Sequence, residues 1–361
     1  MIALVIGTRP ELIKIFPLVN YLKSKKIKFK IIHTGQHYSK NLNNIFLKDF
    51  SNLTPDFNLK VGSKPHAEQT ALMMIGLEKI IKKNNFSSLI VYGDTNTALA
   101  GAVVASKINN ISLIHLEAGL RSFEVKMPEE TNRKAIDHIS DILITTTKIA
   151  NNFLIKEGIE KKKIFYSGNT IVDAIKSYEH QIYKNSKLLD NLGLESKKYF
   201  VLTLHRQENV DNKKKFLKII NSLNKICSYF NKKIIFPAHP RTLKLLKSLR
   251  VSLDKRIKLI EPMNYINFLT LIKNSKLIIT DSGGIQEESC VLKVPSITLR
   301  TSTERQETIL MGANILSEYD EINLLKNVKK ILKRNISWKS PYGNGDASIK
   351  IFKILKKLKK I

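Results

Sequence analysis

The stretch that decides the fold opens the chain: Met1-Ile2-Ala3-Leu4-Val5-Ile6-Gly7-Thr8-Arg9-Pro10-Glu11. Its first seven residues are apolar from the start and run straight into a polar turn. This pattern is typical of a buried strand, and it has no basic leader or small-residue cleavage site of a signal peptide. Short β-rich runs alternate with helical runs along the rest of the chain. The alternation predicts an α/β fold, doubly wound, with parallel sheets and crossover helices on both faces.

The alternation occurs in two series, and a chain of 361 residues suits two domains of ~150 residues each. The boundary is expected near Gly168, which gives domains at 1–167 and 168–346. The final run Ile349–Lys360 has a helical apolar stripe and is expected to pack on one of the two domains. The predicted strands are Ile2–Ile6, Phe29–His33, Ser88–Tyr92, Ser112–Leu116, Ile142–Thr145 and Ile164–Tyr166, then Tyr199–Leu204, Ile234–Pro237, Ile257–Ile260, Leu277–Thr280 and Ser296–Leu299.

The charge of the chain is unusual, with 61 Lys and Arg against 31 Asp and Glu and a net charge of +30. This excess is typical of proteins that bind nucleic acids or membrane surfaces. Only ten of the basic residues are Arg, however, and the Lys clusters are dispersed and interleaved with aliphatic residues. Nucleic-acid binders instead combine Arg-rich stripes with aromatic residues. The charge is therefore interpreted as surface composition, and no specific nucleic acid is predicted as a partner.

Hydropathy and cysteine content narrow the class further. The apolar runs are shorter than the ~18 residues of a membrane span, so neither membrane insertion nor a location outside the cytoplasm is expected. Cys227 and Cys290 are too few for a disulfide framework or a paired-ligand zinc site. The histidines also lack the spacing of metal ligands, so no metal is predicted.

Ionisable side chains follow the strands of both halves. In open parallel sheets, ligands bind outside the carboxyl ends of the strands. A single such residue is more often a turn or helix cap, but six strand ends together make capping an insufficient explanation. They predict a site in a cleft between the domains. The six are Gly7–Glu11, Gly93–Thr95, Glu117–Gly119, His205-Arg206, His239–Arg241 and Asp281–Gly284.

These strand ends indicate two kinds of site, one that binds phosphate and one that transfers protons. The stretch Asp281–Glu288 suits a tight glycine turn into a helix whose N–H groups would bind a phosphate, although Ser-Gly-Gly is also a plain loop. Glu288 would accept hydrogen bonds from ribose hydroxyls or lie at the surface, and Arg9, Lys14 and Arg305 would add counter-charge to a diphosphate. Neither a Gly-x-Gly-x-x-Gly fingerprint nor a Walker sequence is present, which disfavours NAD and ATP.

The acid and base candidates are Asp94, Glu117, Glu129, Glu130 and His205. Carboxylates gathered in a closed cleft raise one another's pKa, which suits proton abstraction from carbon. The pair Glu129 and Glu130 equally suits the first turn of a helix, and the sequence leaves that alternative open.

With these residues assembled, the sequence closely resembles the non-hydrolysing UDP-N-acetylglucosamine 2-epimerases, which interconvert UDP-GlcNAc and UDP-ManNAc. The resemblance runs almost end to end. It is carried by the motifs Gly7–Glu11, Thr34–His37, Gly93–Thr97, His115–Ser122, Pro128–Arg133, Gly168–Thr170, His205-Arg206, Asp281–Glu288 and Thr303–Arg305.

The resemblance implies two Rossmann-like domains in the GT-B-like arrangement, with the active site in the interdomain cleft and the C-terminal helix, 347–361, packing back on the first domain. It implies a homodimer that needs no cofactor or metal. A base would remove the C2 proton while UDP leaves C1, giving 2-acetamidoglucal and retained UDP. The proton would return to the opposite face of C2 and UDP would re-add. The product would supply ManNAc-type sugars for surface polysaccharide or glycan synthesis.

The resemblance also implies a role for each matching residue. The catalytic residues would be Asp94, Glu117, Glu129 and His205, with His205 near the departing diphosphate, and the sequence does not decide which carboxylate takes the C2 proton. The substrate contacts would be Arg9, Lys14 and Arg133 on phosphate or sugar, Ser282, Gly283 and Gly284 on the diphosphate, Glu288 on the ribose, Arg305 on the phosphate side and Phe268 beside the uracil.

Some positions depart from the family. Gln306 stands where Pro is usual, and Gln36-His37 continues into Tyr38-Ser39-Lys40 where Arg often comes next. Many bacterial members bind a second UDP-GlcNAc as activator near this motif, so activation by substrate stays open. Intact Arg9-Pro10-Glu11 argues against a hydrolysing relative, which together with an epimerase of a modified UDP-2-acetamido sugar is the alternative.

Overall fold

The chain folds into two α/β domains, each with its own parallel sheet. The computed structural model describes residues 1–36, 53–238 and 240–361, without the side chains of residues 186, 207, 240 and 241. Domain 1 comprises Met1–Ser177 and Tyr342–Ile361, and domain 2 comprises Tyr178–Pro341. This confirms the predicted α/β class with two doubly wound, Rossmann-like sheets.

In domain 1, the described residues form a seven-stranded sheet in the order β3-β2-β1-β4-β5-β6-β7, with every adjacent pair parallel. The strand order turns back at β1 and β4, which places the ends of these strands at a topological switch point, where ligands of such sheets bind. The strands are β1 Ile2–Ile6, β2 Phe29–His33, β3 Phe57–Asn58, β4 Ser88–Tyr92, β5 Ser112–Ala118, β6 Ile142–Thr145 and β7 Ile164–Tyr166.

The helices of domain 1 cover this sheet with their apolar faces. The helix that follows β4 approaches the sheet closely because it is built from Ala and Gly: a Cβ on Gly101 would lie 2.9 Å from Val91 Cγ1. Thr95 caps the same helix by accepting the Ala98 N–H. The helices are α1 Arg9–Ser24, α2 His66–Lys82, α3 Asn96–Ala105, α4 Pro128–Ile139, α5 Lys148–Lys156 and α6 Thr170–Ser177, and a 3₁₀ turn covers Lys161–Lys163.

Domain 2 has a six-stranded parallel sheet in the order β10-β9-β8-β11-β12-β13, which turns back at β8 and β11. Its strands are β8 Tyr199–Thr203, β9 Lys233–Pro237, β10 Ile257–Ile260, β11 Leu277–Thr280, β12 Ser296–Thr298 and β13 Asn314–Leu316. Its helices are α7 Glu179–Lys184, α8 Ser186–Leu192, α9 Gln207–Val210, α10 Lys213–Phe230, α11 Pro240–Ser248, α12 Tyr265–Asn274, α13 Gly283–Val291, α14 Gln306–Leu310 and α15 Glu321–Leu332.

The final helix, α16 Ala347–Lys357, belongs to domain 1, where it packs on α1 and α6. The rings of Tyr21 and Phe352 meet edge to face at 5.3 Å. Asp173 of α6 accepts the backbone N–H groups of Ala347 and Ser348 at 3.2 and 2.9 Å, which ties α6 to the start of α16. The division between the domains therefore comes after α6, whereas the sequence places it before α6, at Gly168.

Among the described residues, no helix combines the length and apolarity needed to cross a membrane.

Candidate active site

The end of β5 carries Glu117 on an unusual piece of backbone. The strand register shifts between Leu116 and Ala118, and Glu117 has a φ of +69°. A non-glycine residue in this left-handed region is strained, and such strain is often found at functional sites. Lys14 of α1 reaches across to this carboxylate, with Nζ 2.6 and 2.8 Å from its two oxygens, and both side chains are buried. Two predicted site residues are thus joined in one ion pair.

The end of β4 carries a second ion pair. Gly93 turns the chain with a φ of +67°, and the carboxylate of Asp94 then accepts a hydrogen bond from Arg133 Nη1 of α4. Asn132 Nδ2 donates to the Asp94 carbonyl oxygen at 2.9 Å. Arg133 is buried, whereas the side chain of Asp94 keeps 28% of its surface exposed. This carboxylate is therefore both oriented and accessible.

Neighbouring acids at the start of α4 differ in their environment. Glu130 is buried, where its carboxylate accepts the Ser122 N–H at 2.9 Å and lies 2.6 Å from Arg133 Nη2. Burial alone would raise the pKa of Glu130, but the hydrogen bond from Ser122 and the charge of Arg133 outweigh it and lower that pKa. Glu129 is only half-buried. Glu130 therefore orders the loop after β5, and Glu129 is the acid of this pair that solvent reaches.

Glu11 is a buried acid that the sequence analysis left without a role. Its carboxylate accepts the N–H groups of Gly7 and Thr8 at 2.7 Å each and the Thr95 hydroxyl at 2.5 Å. Burial raises its pKa to about 7 in spite of these hydrogen bonds. The spacing Thr8-x-x-Glu11 is the capping-box pattern, which would have predicted this contact. Glu11 joins the turn after β1 to the turn after β4, next to the half-buried Arg9.

In domain 2, the residues after β8 gather around a carboxylate. Asp281 is fully buried and accepts the N–H groups of His205 and Arg206 at 3.1 and 2.9 Å, together with Asn209 Nδ2 at 3.1 Å. The same carboxylate lies 3.2 Å from His205 Nδ1, and 52% of the histidine side chain is exposed. A buried carboxylate thus holds the imidazole by one edge while solvent reaches the ring.

The turn after β11 is shaped for close approach of a ligand to the backbone. A Cβ on Gly283 would lie 2.4 Å from Glu304 Oε1, whereas a Cβ on Gly284 would meet nothing within 4 Å. Ser282 stands at the N-cap of α13, so the first N–H groups of that helix follow directly. Free N–H groups and the positive end of the helix dipole attract anions. This turn is therefore a candidate diphosphate site.

Buried ion pairs surround that turn. Arg305 Nε lies 2.6 Å from Glu287 Oε1, and Arg300 Nη2 lies 2.9 Å from Glu304 Oε2. Arg305, predicted on the phosphate side, is therefore also held within the domain by a carboxylate of α13. Glu288 is buried in α13, and Phe268 is half-buried in α12.

Some predicted positions lie outside the part of the chain that the structure describes. His37 and His239 lie outside the described residues, and the side chain of Arg241 is not described. In the ranges that are described, no group of three or more His, Cys, Asp and Glu side chains is close enough to hold a metal ion.

Comparison with known proteins gives the family. Residues 20–356 match the model of the family described as UDP-N-acetylglucosamine 2-epimerase. The UDP-N-acetylglucosamine 2-epimerase of Methanocaldococcus jannaschii is 47% identical, with 98% of each chain covered. A crystal structure of the M. jannaschii UDP-GlcNAc 2-epimerase in complex with UDP-GlcNAc and UDP covers 99% of each chain, with 47% identity and a TM-score of 0.92. The UDP-2,3-diacetamido-2,3-dideoxy-D-glucuronate 2-epimerase of Pseudomonas aeruginosa is 34% identical, covering 98% of this chain and 99% of that one. The chain therefore belongs to the UDP-N-acetylglucosamine 2-epimerase family of isomerases, as its sequence motifs predict.

Proposed function

We propose that this protein interconverts UDP-GlcNAc and UDP-ManNAc by inverting C2 of the sugar without releasing free sugar. The observation that carries this proposal is the full-length match to the M. jannaschii enzyme, at 47% identity and a TM-score of 0.92. Oriented carboxylates at strand ends of domain 1, and a glycine turn at the N-terminus of α13 in domain 2, support it.

The proposed reaction is an elimination followed by a re-addition. A base takes the proton from C2, the C1–O bond to UDP breaks, and 2-acetamidoglucal forms beside UDP. A proton then returns to the opposite face of C2, and the diphosphate oxygen attacks C1 again. Asp94, Glu117 and Glu129 are the proposed acid–base groups, since two of them lie at adjacent strand ends and are oriented by Arg133 and Lys14.

Domain 2 is proposed to bind the UDP part. The N–H groups from Ser282 to Gly284 would hold the diphosphate, with His205 beside the leaving oxygen. We propose Glu288 for the ribose and Phe268 for the uracil. Arg9, Lys14, Arg133 and Arg305 remain the proposed cationic contacts of the substrate, and their carboxylate partners would fix their positions before it binds.

Elimination and re-addition leave the overall oxidation state of the sugar unchanged, so the proposed reaction needs no redox cofactor. The proposed mechanism also includes no metal. UDP has to stay bound between the two steps, because loss of the intermediates to water would give free ManNAc instead. A second UDP-GlcNAc acting as activator is part of the proposal still to be tested. By analogy with the family, we propose a cytoplasmic homodimer whose product enters surface polysaccharide or glycan synthesis.

Deuterium exchange tests the proposed function. The protein is incubated with UDP-GlcNAc in deuterated water without NAD, and the products are examined by NMR and mass spectrometry. We expect deuterium at C2 of both UDP-GlcNAc and UDP-ManNAc. Absence of exchange, with excess UDP-GlcNAc supplied as activator, would overturn the proposal.

A second candidate function is 2-epimerisation of a modified UDP-2-acetamido sugar, favoured by the match to the Pseudomonas aeruginosa enzyme. The same exchange assay with a UDP-2,3-diacetamido sugar separates the two candidates through the ratio of kcat/KM values. Release of free ManNAc from UDP-GlcNAc would instead identify a hydrolysing enzyme.

A further inference from the structure

A buried carboxylate on α4 lies at the centre of a hydrogen-bond network behind the two strand ends of domain 1. Asp137 is fully buried, and its Oδ1 lies 2.7 Å from His115 Nδ1. Its Oδ2 accepts the Gly119 N–H at 3.1 Å and lies 2.7 Å from Arg121 Nη1. One side chain therefore holds three separate points of β5 and the loop that follows it.

These points enclose Glu117. His115 precedes it by two residues and Gly119 follows it by two, so both flanks of Glu117 are attached to the same carboxylate. The left-handed backbone of Glu117 costs on the order of 1–3 kcal/mol and persists only where its surroundings impose it. The two attachments to Asp137 supply such surroundings.

The hydrogen-bond network also reaches the turn at the end of β4. His115 Nε2 lies 2.8 Å from the carbonyl oxygen of Gly93, the residue before Asp94. Gly93 also donates its N–H to the Leu116 carbonyl oxygen at 2.9 Å, next to Glu117. Both ring nitrogens of His115 therefore lie within hydrogen-bond distance of a partner. The imidazole is thus a rigid link between Asp137 and the turn that carries Asp94.

The charges of the network favour this arrangement. Burial by itself would raise the pKa of Asp137, but the charges and hydrogen bonds of His115 and Arg121 outweigh it and lower that pKa. Arg121 is held in turn by Glu157, with Nε and Nη2 at 2.7 and 2.5 Å from the two carboxylate oxygens. A buried network whose polar groups are paired resists displacement.

We propose that Asp137 is a positioning residue for epimerisation, which sets the places of both Asp94 and Glu117 through His115 and the Gly119 backbone. The inference rests on the proposed function, in which these two carboxylates move the C2 proton. Displacement of a reacting group by about 1 Å can cost about 100-fold in rate. Loss of Asp137 therefore acts on kcat, whereas binding of UDP in domain 2 is untouched.

The test compares Asp137→Leu with a matched control, Asp141→Leu. Leu is close to Asp in size but accepts no hydrogen bond, so His115, the Gly119 N–H and Arg121 all lose this acceptor. Asp141 accepts the Leu113 N–H at 2.9 Å at the opposite end of the same strand. We expect Asp137→Leu to lower kcat per folded molecule roughly 100-fold with KM nearly unchanged. Asp141→Leu is expected to lower Tm while kcat stays near that of the wild type.

A second variant covers the case in which Asp137→Leu does not fold, as judged by circular dichroism. His115→Gln keeps the Asp137–Arg121 pair, but a single amide cannot donate to both Asp137 and the Gly93 carbonyl in the places of the two ring nitrogens. We expect a roughly tenfold loss of kcat at constant KM, measured well below Tm. Values of kcat equal to that of Asp141→Leu in every folded variant would overturn the positioning role. A wild-type protein with neither epimerisation nor C2 exchange would instead overturn the proposed function and this inference with it.

Discussion

Two histidine–aspartate pairs lie at strand ends, one in each domain, and they differ in what surrounds the ring. His115 is sealed, since Asp137 and the Gly93 carbonyl face its two nitrogens at 2.7 and 2.8 Å and the side chain has no exposed surface. His205 lies 3.2 Å from the equally buried Asp281, but about half of its side chain faces solvent. The same pair of side chains therefore holds loops together when it is enclosed and leaves the ring accessible to solvent when it is open.

The partners of each aspartate follow the same division. Asp137 is joined to a second cation, Arg121, and belongs to a domain in which cations also hold Glu117 and Asp94. Asp281 instead accepts mainly N–H groups from the loop after β8. Domain 1 thus pairs its strand-end carboxylates with cations, whereas in domain 2 a carboxylate holds backbone N–H groups and a solvent-exposed imidazole.

The largest effect is expected for Asp94 and Glu117, the carboxylates next to the backbone that the enclosed His115–Asp137 pair holds. Asp94→Asn and Glu117→Gln remove two of the proposed proton-transfer groups. Such groups contribute about 100- to 10,000-fold to rate, so each variant should lose roughly a thousandfold in kcat. Binding of UDP, measured by calorimetry, should remain close to that of the wild type because domain 2 is unchanged. Near-normal turnover in both variants would show that neither carboxylate takes part in the proposed mechanism. Domain 1 would then hold these carboxylates for stability alone.

The open pair provides the next prediction. His205→Asn keeps a donor for Asp281 but loses the imidazole, and kcat should fall roughly 100-fold with Tm nearly unchanged. His180→Asn, an exposed histidine of the same domain, is the control and should leave both quantities unchanged. A drop in Tm of His205→Asn comparable to that of His115→Gln would mean that the His205–Asp281 pair stabilises the fold as much as the His115–Asp137 pair does.

Much of this fold follows from local sequence patterns. The β1 run Ile2–Ile6 and the β11 run Leu277–Thr280 have the predicted bounds because each is a short apolar segment between polar turns. β3, with two residues, and β13, which begins with Asn314, were missed because neither carries enough apolar residues to form a pattern. Such short edge strands are fixed by pairing with their neighbours, which a local pattern does not contain.

The sequence predicts members of the candidate site where a residue follows a strand, but not where a residue contacts the strand ends from a helix. The strand-end rule finds Asp94, Glu117, His205 and Asp281, since position along the chain is all that it needs. Asp137 lies near the end of a helix and Glu11 in the first turn of another, so their roles depend on packing across the sheet. Sequence likewise could not choose between Glu129 and Glu130, because the phase of α4 decides which of them is buried.

Glu11 is a third buried acid, and its hydrogen-bond partners are neutral, whereas Asp137 is paired with a cation. The donors to Glu11 are two backbone N–H groups and the Thr95 hydroxyl, and burial raises its pKa from 4.5 to about 7. The folded state therefore binds more protons than the unfolded state between these two values, and stability falls as pH rises through that window. From about pH 5 to about pH 7.5, the wild type should lose on the order of 2 kcal/mol relative to Glu11→Gln.

Urea unfolding at several pH values measures this difference, with Glu68→Gln as a control for an exposed helical glutamate that pairs with Lys64. The control should follow the wild-type slope. A Glu11→Gln variant with that same slope would show that Glu11 does not titrate in this range.

The smallest effect is expected at two adjacent glycines of domain 2. Gly283→Ala would bring its Cβ to 2.4 Å from Glu304 Oε1, so either that carboxylate or the N-terminus of α13 has to shift. Gly284→Ala meets no protein atom within 4 Å, so it leaves the turn in place and adds a methyl group to the space that the proposed diphosphate would enter. We expect the Kd for UDP to rise roughly tenfold in both variants, with a loss of Tm in Gly283→Ala alone, because only that variant also disturbs the turn itself. A Kd equal to that of the wild type in Gly284→Ala, measured by calorimetry, would show that the diphosphate does not bind at this turn.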